Sequence, residues 1–153
     1  ERIERVYLET DGHLPSIHRA VVNLDSAWLK SNKKFKTPYE LLVSMYRGLE
    51  VSRRPDNIVS LLGTMNHMPF SAPSPAGWPD TTAHWGTPAA LKQRIELGVA
   101  IGQRLGNRLQ AQRAAQVLVD SPDSSALLTS LKRAASPTQA LSLLLASPEF
   151  QWR

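Results

Sequence analysis

The amino-acid sequence predicts an all-α fold, an irregular bundle of about six to eight helices with one long ordered loop rich in proline and tryptophan. Three observations support this prediction. Helix-capping motifs recur along the chain, and apolar residues follow them at helical spacing. The third observation is that no stretch shows the apolar/polar alternation of a strand, and β-branched residues do not cluster beyond Val21-Val22.

The composition is that of a folded domain. Of the 153 residues, 42% are hydrophobic and 20% charged, which argues against disorder of the whole chain. We therefore expect residues 1–153 to form a single helical domain. Cysteine is absent, which excludes disulfides and thiolate metal sites. No run of about 18 apolar residues exists, so the sequence predicts no transmembrane segment in this chain.

The net charge of +5 comes largely from two groups of basic residues. Proteins that bind nucleic acid usually present a continuous basic stripe. Here one group falls in a predicted connector and the other is spread over several helical turns, so we expect no nucleic-acid partner. The two groups are Lys30, Lys33, Lys34 and Lys36, and Arg94, Arg104, Arg108 and Arg113.

The first helices are predicted at the N-terminus, where residues 1–5 already read as part of a helix and residues 17–28 as a second one. The third helix begins at Thr37, where the sequence TPYE forms a capping box with proline at the first helical position. In this motif the Thr37 hydroxyl accepts from the Glu40 amide, and the Glu40 carboxylate accepts from the Thr37 amide. The buried stripe of this helix is predicted to be Leu41, Leu42, Met45 and Leu49.

The later helices start at similar signals. A fourth helix is predicted after Pro55, Thr87-Pro88 starts a long one, and Asp123-Ser124 another. Two final starts lie at Ser136, whose sequence SPTQ repeats the capping box, and at Ser147. The apolar stripes that follow are Ile58, Leu61, Leu62 and Met65; Leu127, Leu128 and Leu131; and Leu141, Leu144 and Leu145.

The helix from Pro88 carries glycines on one face. Its predicted stripe is Leu91, Ile95, Gly98, Gly102 and Leu105. Three glycines of this helix lie four residues apart, so this face is expected to lie with its backbone close to another helix. We expect the last of them, Gly106, to end the helix and Asn107 to cap the next one.

From residue 66 to 87 the helical pattern stops, and we call this segment the Pro/Trp loop. Its four prolines stiffen the backbone. Its rings, Phe70, Trp78 and Trp85, are costly to leave in water because each has roughly 150–250 Å² to bury. The sequence therefore predicts an ordered loop that these rings pin to the helical body. Gly77 is expected to supply a positive φ or a close backbone approach.

Two interpretations of the Pro/Trp loop remain open. In the first, the loop is a staple whose rings fill gaps between helices. In the second, one tryptophan face stays open as a stacking platform for a sugar or a proline-rich peptide, with Asp80 or His84 as the polar partner. The candidate binding residues in the loop are Pro75, Gly77, Trp78, Asp80, His84 and Trp85.

No sequence motif carries catalytic or metal chemistry. A candidate set of metal ligands can be assembled from His67, Asp80 and His84. However, no helix is expected at Asp80 to place it beside His84, and HExxH and Cys/His arrays are absent. There is no Gly-x-Ser-x-Gly elbow, and the carboxylates are isolated along the sequence. We therefore expect no metal and no cofactor, and we assign no catalytic residue.

Four motifs occur in a recognisable order: FKTPxEL from Phe35 to Leu41, PSPAGWP from Pro73 to Pro79, Trp85-x-x-Pro88 with Arg94, and LASPEFQ from Leu145 to Gln151. Together they resemble the C-terminal part of the bacterial domain of unknown function 1800 family. The resemblance implies a largely helical protein of which this chain is a C-terminal fragment. One departure is Asn66-His67, which stands where relatives usually show Gly-Gln.

The resemblance also implies a cellular setting. Many members of the family look exported and are encoded beside a second, sulfatase-like family. This implies a periplasmic or envelope-associated location, with the cytoplasm left open, and a possible partner protein or polysaccharide. No catalytic residues come with the resemblance.

Two functional hypotheses follow. The first is a helical interaction module of an exported bacterial protein that contacts a partner protein or an envelope polymer through Pro73–Trp85. The alternative is part of a hydrolase-like enzyme whose site is completed by a missing N-terminal region. Convergence of four candidate side chains on one pocket would favour the enzyme, and isolated caps and surface pairs would favour the module. These four are Lys36, Glu40, Asp80 and Arg94.

Overall fold

The computed structural model describes residues 1–29, 33–51, 56–119 and 125–153. These residues form ten helices and no strand, so the predicted all-α class is confirmed, and eight of the helices have seven residues or more. The helices are α1 (Arg2–Glu9), α2 (Leu14–Val22), α3 (Pro38–Gly48), α4 (Ile58–Thr64), α5 (Thr82–Trp85), α6 (Pro88–Leu105), α7 (Ala111–Leu118), α8 (Ser125–Arg133), α9 (Pro137–Ala146) and α10 (Pro148–Gln151).

The chain divides into two compact units, Glu1–Lys33 and Lys34–Arg153. The first contains α1, α2 and a 3-10 helix, Asp25–Trp28. The single helix expected over residues 17–28 is therefore wrong. It breaks after α2 because Leu24 has an extended backbone, and the Trp28 indole N–H donates to the carbonyl of Val22 at 2.7 Å.

The core of the larger unit lies between α3, α4 and α6–α10. The predicted stripes of α3 and α9 are buried throughout, and so are Leu127 and Leu131 of α8. In α4 the prediction holds in part, because Leu62 is buried whereas Ile58 and Leu61 are half-buried. The proposed helix start at Pro55 and the proposed cap at Asp123-Ser124 lie outside the described residues.

The predicted helix caps are present, with one difference. Thr37 and Glu40 form both hydrogen bonds of the capping box, at 3.3 and 2.8 Å, and the hydroxyls of Thr87 and Ser147 cap α6 and α10. Ser136 accepts from the Gln139 amide at 3.1 Å. The Gln139 side chain, however, accepts from the amide of Ala135, so the second predicted box is shifted by one residue.

The predicted glycine face of α6 packs against α9. A Cβ built on Gly98 would lie 3.2 Å from Leu145, one on Gly102 would lie 2.2 Å from the Ser142 hydroxyl, and one on Gly106 would lie 2.3 Å from Thr138. The two helices can approach this closely because the glycines have no side chains.

The rest of the predicted α6 stripe needs correction. Leu91 and Ile95 are exposed and Leu105 is half-buried. Gly98 and Gly102 are buried as predicted, together with Arg94 and Ile101, which the stripe did not include. Because Arg94 is buried, the buried face of α6 is rotated relative to the apolar stripe that the sequence predicts. Asn107 does not cap the next helix: the residues after Gly106 form a turn, and the N-cap position of α7 is Gln110.

Candidate functional site

The Pro/Trp loop is anchored by a cluster of aromatic rings at its base. Trp85 is only 2% exposed, and its indole N–H donates to the carbonyl of Pro79 at 2.7 Å. The His67 ring lies 4.8 Å from Trp78 and 5.0 Å from Trp85, centroid to centroid. Trp85 therefore acts as an anchor and offers no open face for stacking, whereas Trp78 is half-buried.

One ring of the loop behaves contrary to expectation. Phe70 does not pin the loop, because its side chain is fully exposed, at 107% of the reference value. Its φ is +61°, a conformation that bulky residues seldom adopt. Phe70 occupies the third position of the turn Met68–Ser71, which the Ser71 amide closes onto the Met68 carbonyl at 3.2 Å. The backbone thus holds this ring away from the protein.

A second turn forms the outer part of the loop. The amide of Gly77 donates to the carbonyl of Ser74 at 3.0 Å, and Gly77 has the predicted positive φ, +92°. Pro75 and Ala76 lie between them and are exposed. Proline at the second position fixes the backbone in advance, so the loop presents a stiff turn on an aromatic base.

His67 is held neutral within the cluster. Its Nδ1 accepts a hydrogen bond from the Tyr39 amide at 3.3 Å, which requires an unprotonated nitrogen. Burial lowers the pKa of His67, and the nearby Glu40 carboxylate opposes part of that lowering. His67 is thereby a structural link between the start of α3 and the two tryptophans.

A cavity of about 330 Å³ lies beside α5 and the start of α6. Five of the nine residues that line it are apolar or aromatic, and the polar ones are Asn66, His84, Thr87 and Gln93. Among the residues that line it are Met65, Asn66, His84, Trp85, Ala90 and Gln93. Of the predicted site residues, His84 and Trp85 line this cavity. His84 is exposed and stands edge-on to Trp85 at 4.5 Å.

Within the described part of the chain two cations are buried, Lys36 and Arg94, and both bind the C-terminal segment. The Lys36 ammonium donates to the Phe150 carbonyl at 2.7 Å and lies 4.0 Å from the centre of the Phe150 ring. The Arg94 guanidinium donates to the Lys36 carbonyl at 2.7 Å and to the Gln151 side chain at 3.2 Å. Burial lowers the pKa of Arg94 to about 10, so it is still charged at neutral pH.

Backbone pairing joins the same two stretches of chain. The amide and carbonyl of Lys34 bond to the carbonyl and amide of Arg153 at 2.8 and 2.9 Å, and the Lys36 amide donates to the Gln151 carbonyl at 2.9 Å. Between these bonds the rings of Phe35 and Trp152 meet edge to face at 5.1 Å. We call this pairing of residues 34–36 with 151–153 the C-terminal clamp.

The two carboxylates among the candidates also serve the clamp. Glu40 forms an ion pair with Arg153 at 2.7 Å, and although burial raises its pKa, hydrogen bonds from Thr37 and Arg153 lower the pKa of Glu40 overall. Asp80 forms an ion pair with Lys34. None of the four convergence candidates is among the residues that line the cavity beside Trp85.

The structure therefore brings the candidate residues together in two groups with different roles. Trp78, His84 and Trp85 belong to the aromatic cluster, while Pro75 and Gly77 lie in the exposed turn above it. The others, Lys36, Glu40, Asp80 and Arg94, hold or flank the clamp. In the described parts of the chain, no three side chains of the kinds that bind metals are arranged to hold an ion. Among the same residues, no helix combines the length and the apolar character needed to span a bilayer.

Sequence reasoning missed the exposure of Phe70 and the partners of the buried cations. Pro69 favours the second position of a turn, but nothing in the sequence indicates a positive φ at Phe70, because the third position of such a turn normally holds glycine or asparagine. Nothing in the local sequence points to Gln151, which lies 57 residues from Arg94.

Comparison with known families gives one match. The family model described as "Protein of unknown function (DUF1800)" matches residues 1–152. No curated protein and no solved structure matches the chain.

Proposed function

The chain belongs to the DUF1800 family, and we propose that it is a helical interaction module that binds a partner macromolecule through the Pro73–Trp85 part of the Pro/Trp loop. The observation that carries this proposal is the combination of a buried aromatic base with an exposed, stiff turn. Trp85 is fixed by packing and a hydrogen bond, whereas Pro75 and Ala76 are exposed. A surface held rigid before binding loses little conformational entropy when a partner docks.

Two further features support a binding role. Loops of this length in compact domains are usually functional or disordered, and this one contains two hydrogen-bonded turns and a buried anchor, Trp85. A loop whose tryptophans were both fully buried, with no concave surface nearby, would offer no binding site. Here Trp78 is half-buried and a cavity adjoins Trp85.

The hydrolase-like alternative has no such observation behind it. Lys36 and Arg94 bond to the C-terminal segment, and Glu40 and Asp80 form separate ion pairs. All four therefore hold or flank the C-terminal clamp, and none of them lines the cavity beside Trp85, which supports the module over the enzyme. The partner we put first is the sulfatase-like protein, with an envelope polysaccharide as the second candidate, and we place both in the periplasm or envelope.

The test is a pull-down of the sulfatase-like protein by the full-length protein, repeated with Trp78→Ala and Ala76→Arg. Trp78→Ala removes the half-buried ring. Ala76→Arg places a bulky charge on the exposed turn without touching the aromatic base. Both are expected to lower the recovered partner by about tenfold, which corresponds to the loss of one well-placed contact.

Two control variants change exposed positions elsewhere. Trp28→Ala removes an exposed tryptophan, and Val117→Arg adds a charge on α7. Both are expected to keep full recovery. The proposal fails if Ala76→Arg, confirmed as folded by circular dichroism, recovers as much of the sulfatase-like protein and of isolated envelope polysaccharide as the unchanged protein does.

A further inference from the structure

Phe70 is a protruding ring that the local backbone holds outward at an energetic cost. The side chain is fully exposed and its φ is +61°. In a turn with proline at the second position, the third position normally holds glycine or asparagine, since they tolerate positive φ. Strain of this kind persists mainly at functional sites. A glycine at this position would relieve the strain. The phenylalanine therefore favours a role for its ring in a contact with another molecule.

The same region of the surface carries a cavity suited to such a ring. The volume, about 330 Å³, exceeds the roughly 150 Å³ that suffices to hold a benzene molecule. Met65, Ala89 and Ala90 contribute apolar walls, and no Asp, Glu, Lys or Arg lines it. An uncharged phenyl ring is therefore small enough for this cavity and meets no charged residue there.

The protruding ring and the cavity lie close together along the chain. Asn66 lines the cavity, and Phe70 follows four residues later, a span of at most about 14 Å in a fully extended chain. The ring does not enter the cavity of its own molecule, because it is fully exposed. When a protrusion and a matching cavity are neighbours on one surface, two copies related by a two-fold axis satisfy both contacts at once.

We propose that two copies of this chain associate by reciprocal insertion, with Phe70 of each copy entering the cavity beside Trp85 of the other. The interface is small, since each phenyl offers about 150–250 Å² against about 800 Å² per partner in a standard interface. The dimer is accordingly weak and depends on concentration. This proposal goes beyond the interaction with a partner macromolecule and does not rest on it.

The test is sedimentation equilibrium of the 153-residue chain, from about 10 μM to about 1 mM, the range in which weak association is measurable. The weight-average mass is expected to rise from 17.0 kDa toward twice that value. Phe70→Gly removes the ring and suits the positive φ, so this variant is expected to stay monomeric with an unchanged or higher melting temperature. The loss of association then has no explanation in unfolding.

A second variant blocks the cavity and leaves the ring in place. Ala89→Trp substitutes an exposed residue on the cavity wall and is also expected to stay monomeric. Val117→Gly, a matched loss of an exposed apolar side chain on α7, is expected to associate like the unchanged chain. A constant mass of 17.0 kDa over the whole range overturns the proposal, as does association of Phe70→Gly or folded Ala89→Trp at the unchanged strength.

Discussion

At the scale of single residues, Arg94 shows how the interior accommodates a charge. Its side chain is almost fully buried, and it donates to two neutral acceptors, the Lys36 carbonyl and the Gln151 amide oxygen. The Phe35 ring adds a cation–π contact at 4.5 Å. A buried charge is tolerated when such hydrogen bonds replace water. Arg94 therefore contributes to the position of the C-terminal segment, and its charge is not offered to a ligand.

His67 links the stability of the fold to pH. Because its pKa is lowered in the fold, the unfolded chain, with an ordinary value of about 6.5, binds the proton more tightly. The stability contributed by neutral His67 is thus fully present above about pH 6.5 and is lost as pH falls toward the folded-state pKa. We expect the free energy of unfolding, measured in urea, to fall between about pH 7.5 and about pH 5.5, and to fall less in His67→Gln.

The choice of variant isolates the imidazole. Glutamine does not titrate, and its side-chain oxygen still accepts a hydrogen bond from the Tyr39 amide. Glu40 also has a lowered pKa, but its contribution is lost only below about pH 4.5, outside this window. His18→Gln, in the smaller unit, serves as the control. An identical pH dependence in the unchanged protein and His67→Gln would rule out His67 as the titrating group.

At the scale of secondary-structure elements, the contact between α6 and α9 depends on glycine. A methyl group on Gly102 would lie 2.7 Å from the Ser142 amide nitrogen and 2.8 Å from its Cα, so backbone would have to move. We expect Gly102→Ala to lower the free energy of unfolding by about 1–3 kcal/mol, the usual cost of overpacking. Chemical denaturation measures this, and Gly98→Ala should cost less because its nearest contact is 3.2 Å.

The matched control is Gly63→Ala in α4. The added methyl would meet only the terminal carbon of the Met68 side chain, at 2.8 Å, and Met68 is partly exposed and able to turn aside. Since alanine favours helix over glycine by up to about 1 kcal/mol, Gly63→Ala is expected to be neutral or stabilising. If Gly102→Ala proves as harmless as Gly63→Ala, the two helices do not require glycine to pack.

The Pro/Trp loop shows where prediction of an element stops. Its composition predicts order, because prolines and tryptophans together are atypical of flexible linkers. Composition did not show which ring would be buried, since Phe70 and Trp85 have similar reasons to leave water. The difference comes from the backbone: the turn at Pro69 directs Phe70 outward, and the short helix α5, which the sequence pattern did not reveal, directs Trp85 inward.

At the scale of the whole molecule, local signals sufficed for the helices and not for their arrangement. Caps and apolar stripes depend on residues within about one to two turns, so Thr37, Ser147 and the α9 stripe were predictable. The clamp joins residues 34–36 to 151–153, a separation that leaves no trace in any local pattern. For this reason the sequence predicts Lys36 and Glu40 as candidate binding residues but does not predict the contacts that they make with the C-terminal segment.

The position of the core leads to a prediction about the larger unit. The main buried cluster runs from Leu41 to Phe150, whereas among residues 1–29 only Ala20 is buried. A fragment of residues 34–153 contains this core and both halves of the clamp. We therefore expect it to unfold cooperatively on heating, with circular dichroism as the measurement, because a single core of this size supports an all-or-none transition.

A shorter fragment, residues 37–153, tests whether the clamp matters to that stability. It keeps the Thr37 cap. It loses the Lys36 carbonyl, which accepts from Arg94, and the Lys36 ammonium, which donates to the Phe150 carbonyl. It also loses the Phe35 ring, which packs against Trp152. Each buried polar group left without its partner costs about 1–3 kcal/mol, so this fragment is expected to melt well below residues 34–153. Equal melting temperatures would show that the clamp adds nothing, and a gradual melt of residues 34–153 would show that their core needs residues 1–33.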